Sequence, residues 1–348
     1  MTDAGKYDSL KVSVKEPGLI FGFFVSKGEI SRQEADMIQT VAILGAGAVG
    51  GYFVWGLSEK LGKNLWVIAK GERKERLERE GLTINGEIFH FPVKTPEEAA
   101  GADLLLVATK YGALEESLED IAAVVGKNTI VLSLLNGVDS EEIIGERIGR
   151  EHMLYSIMKI ASERRGREIL FNGETTPGLF YGEPGASVPT ERCLEVAQVL
   201  EGTPLHYHIS PDIERDIWYK FALNVSQNQP QAIIGIGFGG YADSEHMAFL
   251  RQKLRDEVTA IAAAKGIDIS EVQAVEVKGS PTAKWGRYST LQDLDAKRHT
   301  EVDMFAGAVM RLGEKYGIPT PYNTFAYHAI KALEEKNDGL FDYERRNG

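Results

Sequence analysis

Residues Val41 to Gly51 (VAILGAGAVGG) constrain this chain more than any other stretch. Four apolar residues run straight into Gly45-x-Gly47-x-x-Gly50, and an apolar, helix-compatible run (Tyr52, Phe53, Val54, Trp55, Leu57) follows. Strand, tight turn and helix in that order are the context in which such glycines bind a dinucleotide. Gly45 permits the turn, Gly47 lets the backbone approach a pyrophosphate, and Gly50 lets the helix pack closely on its strand. Ala46, Ala48 and Val49 supply the backbone between them, and free N–H groups with the helix dipole would hold the phosphates. A glycine-rich turn without a ligand is the plain alternative.

The second strand indicates which dinucleotide. Residues 64–69 (NLWVIA) read as that strand and end in Ala69, Lys70, Gly71, Glu72, Arg73 and Lys74. A site for NAD usually places Asp or Glu about 20 residues past the glycines, on the ribose 2′-hydroxyl. Here Lys70 stands at the tip with Arg73 and Lys74 close by, a set of cations that attracts a 2′-phosphate. NADP is therefore the expected cofactor, although Glu72 sits in the same loop and a solvated, mixed-charge helix start is the simpler reading.

The 348 residues are enough for two domains with separate cores. A net charge of −12 without any basic block argues against a nucleic-acid surface. Cys193 is the single cysteine, so no internal disulfide is possible, and the pattern reads as a spectator thiol in a reducing compartment. No apolar run approaches the ~20 residues that span a bilayer, and the first residues lack the basic-then-apolar order of a signal peptide. A cytoplasmic protein without membrane partners is expected, and no metal-ligand spacing stands out.

Residues 1–39 form an extension that belongs to no pattern. Lys11–Lys15 alternates like a strand, Leu19–Val25 could be a second, and Ser31 to Glu34 has capping-box spacing before a short helix. From residue 40 strands and helices alternate. Strands are expected at 41–44, 65–69, 103–108, 129–134, 153–160, 168–171, 178–182 and 205–208, with a hairpin at 83–92 around Asn85-Gly86. Helices are expected near 49–61, 72–80 and 113–125. Near-continuous apolar strands between helices mean a parallel sheet covered on both faces. From about 211 the pattern turns helical, at 212–226, 245–265, 269–277, 288–313 and 323–335. The fold class is therefore α/β, with a Rossmann-type domain over 40–210, a helical domain over 211–348 and the ligand cleft between them.

Sheets of this kind bind ligands beyond the carboxyl ends of their strands. Lys110 follows one such strand, and Asn136 follows another, with Gly137 leaving room to turn. In the helical half, Lys220, Asn224 and Asn228 recur at i, i+4 and i+8 among Trp218, Phe221, Ala222, Leu223 and Val225. A helix apolar nearly all round is buried, so its polar stripe must face groups that need hydrogen bonds. A partly desolvated lysine has a lowered pKa and more easily gives a proton to a carbonyl oxygen. Ser289 and Glu301 would share a face on one continuous helix, since twelve residues at 3.6 per turn return close to the same direction. Ser289 could then hold a carboxylate, while Glu301 meets a hydroxyl or the lysine. Asp293 and Arg298 read as a structural pair and His299 as solvated surface.

Taken together, these residues resemble the ketopantoate reductase (2-dehydropantoate 2-reductase) family. The resemblance covers roughly residues 40–335 and rests on Gly45 to Gly51, Lys110, Leu135-Asn136-Gly137, the Lys220–Asn224–Asn228 stripe, Ser289, and Arg298-x-Thr300-Glu301-x-Asp303. It implies a Rossmann-type domain followed by a 6-phosphogluconate-dehydrogenase-like helical domain. The implied activity is reduction of 2-dehydropantoate to (R)-pantoate with NADPH, on the way to pantothenate and coenzyme A, in a homodimer. By the same resemblance Lys220 protonates the developing alkoxide, and Asn136 lies by the nicotinamide and orients this lysine. Asn224 and Glu301 would contact substrate oxygens, with Asn228 as a helper and Ser289 on the carboxylate. Lys70 would take the 2′-phosphate, and Lys110 would be the cofactor lysine. The chain departs from the family pattern at Gln229–Gln231, Gly235–Gly240 and Ala306. A paralogue reducing another branched 2-oxo acid or an imine therefore stays open, as does an NADP-binding regulator without turnover.

Overall fold

The computed structural model of the protein describes residues 37–270 and 284–341. The expected elements at Lys11–Lys15, Leu19–Val25 and Ser31–Glu34, and most of the expected helix at 269–277, lie outside them. The described residues from Ile38 onward form one compact unit.

The chain enters through β1 (Val41–Leu44), α1 (Ala48–Leu61), β2 (Leu65–Ile68) and α2 (Gly71–Glu80). The hairpin β3 (Leu82–Ile84) and β4 (Glu87–Phe89), β5 (Val93–Lys94), β6 (Leu104–Val107), α3 (Leu114–Val124) and β7 (Ile130–Ser133) follow. Next come α4 (Ser140–Ile148), β8 (Met153–Lys159), β9 (Ser162–Arg165), β10 (Glu168–Phe171), β11 (Gly178–Gly182), α5 (Glu191–Leu200) and β12 (Tyr207–Ile209). The rest is helical: α6 (Ile213–Ile234), α7 (Gly240–Asp243), α8 (Glu245–Ala264), α9 (Ser289–Asp295), a π-helical turn (Asp303–Gly307), α10 (Ala308–Tyr316) and α11 (Pro321–Asn337).

The main sheet runs β12-β11-β8-β7-β6-β1-β2-β5. Every residue of β1, β6 and β7 is buried, because helices cover both faces. Val41, Ile43, Leu104 and Leu106 pack with Tyr52 and Phe53 of α1 in one core, while Ala42, Leu105 and Val107 face Ile121 and Val124 of α3 in another. β1, β2, β5, β6, β7 and β8 are parallel, as the apolar runs require. The sheet is not parallel throughout, however, since β11 runs antiparallel to β8. A second, four-stranded sheet, β4-β3-β10-β9, covers one end of α1. Its hairpin turns at Asn85 (φ 49°) and Gly86 (φ 84°), the backbone an Asn-Gly pair provides.

Several expected boundaries moved. α4, α5, β5 and β9 were not anticipated, although α5 carries Cys193, Val196, Val199 and Leu200 on one buried face. α6 continues past 226 to Ile234, carrying Pro230 inside it, and ends at Gly235 in the left-handed region (φ 71°). Burial of Ser226, Asn228, Gln229, Gln231 and Ala232 holds the helix together past a residue with no N–H to donate. The expected helix 288–313 is broken. α9 stops at Asp295, Lys297 takes a positive φ of 52°, and helical structure resumes only at Asp303. The one-face argument for Ser289 and Glu301 therefore fails.

The glycine turn behaves as its spacing requires. A Cβ at Gly50 would lie 2.0 Å from the Gly45 carbonyl oxygen, whereas one at Gly47 would meet nothing within 4 Å. Gly50→Ala is expected to cost about 1–3 kcal/mol through overpacking, while Gly47→Ala leaves thermal unfolding almost unchanged. Equal losses in Tm would show that α1 does not sit so close to β1.

Candidate active site

The carboxyl ends of β1, β6, β7 and β8 open toward the middle of α6, and the polar residues gather there. Gly47 precedes the first turn of α1, and no side chain caps that turn. A Cβ at Gly47 would meet nothing within 4 Å, so the space beside that turn is open. Gly45 (φ 105°) lets the turn press on Ala108, whose carbonyl oxygen a Cβ would meet at 2.5 Å. Ala46 is buried, and Ala48 and Val49 begin the helix.

Lys220 is the centre of the arrangement. Its Nζ donates to Asn136 Oδ1 at 2.8 Å and to the Met158 carbonyl at 2.7 Å. Asn136 hangs from the loop after β7 and Met158 from the end of β8, so α6 delivers its ammonium against the sheet. Burial lowers the Lys220 pKa to about 8, helped by the charge of Lys159 and opposed by Glu301 and Glu141. The Asn136 amide also lies near the Glu301 carboxylate and favours its charged form. Burial raises the Glu301 pKa, while Lys110 and Lys220 act the other way. Lys110 stands exposed at the end of β6 with its charge toward Glu301. The amide thus stands beside both the lysine and the carboxylate.

Of the other expected residues, Asn224 is partly buried one turn along α6, and Asn228 is buried a further turn on. Ser289 is exposed as the first residue of α9, which packs against α6. The structure places it on that neighbouring helix, outside the hydrogen-bonded pair of Lys220 and Asn136. Lys70 is exposed at the end of β2 and pairs with Asp120 at 2.6 Å. Lys74 pairs with Glu98. Burial and the neighbouring charges of Arg76 and Arg164 lower the pKa of Arg73, so cations crowd this tip. Arg298 and Asp293 form a 2.7 Å ion pair, His299 is a surface partner of Asp338, and Cys193 is buried. Among the described residues no group of His, Cys, Asp or Glu could hold a metal, and no helix is long and apolar enough to cross a membrane.

The departures from the resembling pattern have structural explanations. Gln231 accepts the Tyr288 N–H at 2.6 Å and donates to the Gly286 carbonyl at 3.2 Å, while Gln227 accepts the Tyr288 hydroxyl at 2.7 Å. Gln229 donates to Asn323 in the core. The glycines after α6 let backbone meet backbone: a Cβ at Gly237 would lie 2.2 Å from the Lys284 carbonyl oxygen. Together these contacts hold the segment that leads into Ser289. Ala306 packs among Ala232, Leu291, Leu294, Val302 and Ile330, where an amide would be buried in an apolar cluster. Sequence reasoning missed Gln227 and Gln231, although their i, i+4 spacing beside the asparagine stripe was a usable signal. It also missed Lys159, which lies over the Phe180 ring at 3.8 Å and gave no local signal.

Comparison with known proteins agrees with this geometry. The family described as "Ketopantoate reductase PanE/ApbA" matches residues 41–180, and its C-terminal counterpart matches 212–334. The chain belongs to the ketopantoate reductase family. It is accordingly a nicotinamide-dependent oxidoreductase, of a family that uses NADPH. The chain is 28% identical to a 2-dehydropantoate 2-reductase of Streptococcus pyogenes, over 84% of this chain and 97% of the relative. It is also 28% identical to one of Archaeoglobus fulgidus, over 85% and 98%. Among solved structures, a ternary complex of D-mandelate dehydrogenase with NADH and anilino(oxo)acetate aligns at TM-score 0.74 and 27% identity, over 86% and 99% of the two chains. A ketopantoate reductase from Ralstonia eutropha shares the fold at TM-score 0.71 and 24% identity, over 86% and 99%.

The cation-rich tip of β2 generates a test. Lys70→Asp places a carboxylate where a 2′-phosphate would lie, and is expected to weaken NADPH binding far more than NADH binding in fluorescence titrations. Equal weakening of both would remove Lys70 from recognition of that phosphate.

Proposed function

We propose that this enzyme reduces the ketone of 2-dehydropantoate to (R)-pantoate with NADPH, a step toward pantothenate and coenzyme A. One observation carries the reading: the Lys220 ammonium is held by Asn136 and Met158, with the Glu301 charge acting on it from nearby. Bound NADPH supplies the hydride to the keto carbon. Lys220 gives its proton to the oxygen as negative charge develops there. A pKa near 8 keeps it protonated at neutral pH while easing the transfer. Asn136 aims the ammonium and sits where the nicotinamide would lie. Glu301 meets the hydroxyl side of the substrate, Asn224 and Asn228 meet its oxygens, and Ser289 takes the carboxylate.

Gly45, Ala46, Gly47, Ala48, Val49 and Gly50 would cradle the pyrophosphate, with Lys110 on the cofactor and Lys70 on the 2′-phosphate. The cofactor domain spans 40–210 and the helical domain 211–348, with 1–39 as an extension; the change from strands to helices between β12 and α6 supports that boundary. The enzyme works as a cytoplasmic homodimer, which exposed apolar side chains on the helical half (Ile234, Phe249, Trp285, Phe325) support.

A second reading, a paralogue reducing another branched 2-oxo acid or an imine, is favoured by one observation. The likeness to D-mandelate dehydrogenase, 27% identical, is as close as that to the named reductases. NADPH consumption with 2-dehydropantoate, 2-oxoisovalerate and phenylglyoxylate separates the two. A much larger kcat/KM for 2-dehydropantoate is expected, and preference for either competitor overturns the first reading.

Lys220 must be protonated to act, so kcat/KM is expected to be level below pH 8 and to fall as pH rises through about 8. Lys220→Ala should cut kcat by about 10²–10⁴-fold, the usual worth of one general acid. A near-unchanged rate, or a profile flat across that range, would exclude Lys220 as the proton donor.

A further inference from the structure

Three side chains that take no part in the chemistry above meet beside the site. The Tyr111 hydroxyl donates to Asp139 Oδ2 at 2.8 Å. Arg311 Nη2 donates to the Tyr111 oxygen at 3.0 Å and to Asp139 Oδ2 at 3.1 Å. Its Nη1 reaches the Asp303 carbonyl at 3.4 Å.

The positions of these groups along the chain give the contact its meaning. Tyr111 follows Lys110 on the loop leaving β6, and Asp139 closes the loop that begins at Asn136. Asp303 lies two residues past Glu301, and Arg311 belongs to α10. The cluster therefore joins the three backbone segments that carry Lys110, Asn136 and Glu301. Those segments have little slack, because a Cβ at Gly137 (φ 103°) would lie 3.0 Å from Met304 Cγ and 3.6 Å from Asp139 Oδ1.

An exposed arginine–carboxylate pair alone is worth little. Here the carboxylate is the inner partner, with side-chain exposure of 17% against 53% for Arg311. Its Oδ1 is buried with no hydrogen-bond partner among the described residues. Losing Arg311 or Tyr111 would leave a largely buried charge under-satisfied, and the loop would move to rehydrate it. Burial and the adjacent Asp139 push the Tyr111 phenol far above its ordinary pKa, so it remains a donor throughout the working range.

We propose that Tyr111, Asp139 and Arg311 are positioning residues for the reduction. They fix the spacing of Lys110, Asn136 and Glu301, and through Asn136 they aim the Lys220 ammonium. The kinetic part of this inference rests on the reductase reading above, whereas its cofactor part does not.

The test compares Tyr111→Phe, Arg311→Lys and Arg311→Ala with the unmodified full chain. Displacing these segments by roughly 1 Å is expected to lower kcat by about 10–10²-fold. NADPH binding, read by fluorescence, should weaken about tenfold as Lys110 loses its placement. The alkaline limb of kcat/KM should also move, because the partners of Lys220 have shifted. Arg311→Lys, which keeps the charge, should recover part of each loss. A contact that serves stability alone would lower Tm yet leave kcat, NADPH affinity and the pH limb in place well below Tm, and that result overturns the proposal. Should Arg311→Ala fail to fold, Tyr111→Phe, which removes one oxygen, decides by the same readouts. If the unmodified enzyme turns over no 2-oxo acid, the substrate reading falls, and NADPH affinity in the variants still decides the positioning role.

Discussion

An ammonium held away from water is the constraint around which this molecule is arranged. Lys220 reaches out of a helix lined by Trp218, Phe221, Ala222 and Val225, and a charge in such surroundings needs acceptors. The helix does not supply them, since carbonyls within a regular helical turn already accept from its own N–H groups. They come from the sheet: the Asn136 amide oxygen and the Met158 carbonyl. The same bonds that make burial tolerable therefore dock the helical half on the strand ends. The bonds fix position, and incomplete solvation keeps the proton transferable.

The cofactor side follows from a different constraint, the steric freedom of glycine. Gly45 and Gly50 are required because backbone lies where a side chain would be, whereas a side chain at Gly47 would meet only open space. Departures from the family pattern follow similar logic elsewhere. The glycines near 237 and the glutamines of α6 serve one purpose, holding the segment before Ser289 against α6 through backbone and amide contacts. They are packing contacts, and they leave the Lys220–Asn136 bond untouched.

Much of this was legible beforehand. The parallel core was readable because β1, β6 and β7 are apolar at every position, a pattern that only two-sided burial explains. The hairpin was readable because Asn85-Gly86 is the pair that tolerates its turn. Lys220 stood out as a cation in an apolar helix. The short helices α4 and α5 escaped notice, although α5 buries Cys193, Val196, Val199 and Leu200 at helical spacing behind a Thr190 cap. The break after α9 escaped too. Nothing between Asp295 and Asp303 is a glycine or proline, and the positive φ falls on Lys297, which is set by the surrounding fold.

The sequence by itself determined the glycine turn, the strand–helix alternation and the identity of the polar residues, since each is a local consequence of side-chain size, branching and periodicity. Only the tertiary structure decided which of those polar residues come together at one site. Lys220, Asn136 and Glu301 are separated by most of a domain along the chain, and no spacing rule relates them. Their union, like that of Tyr111, Asp139 and Arg311, depends on how a helix lies across the ends of strands. That crossing is fixed by the whole buried surface, not by any one segment.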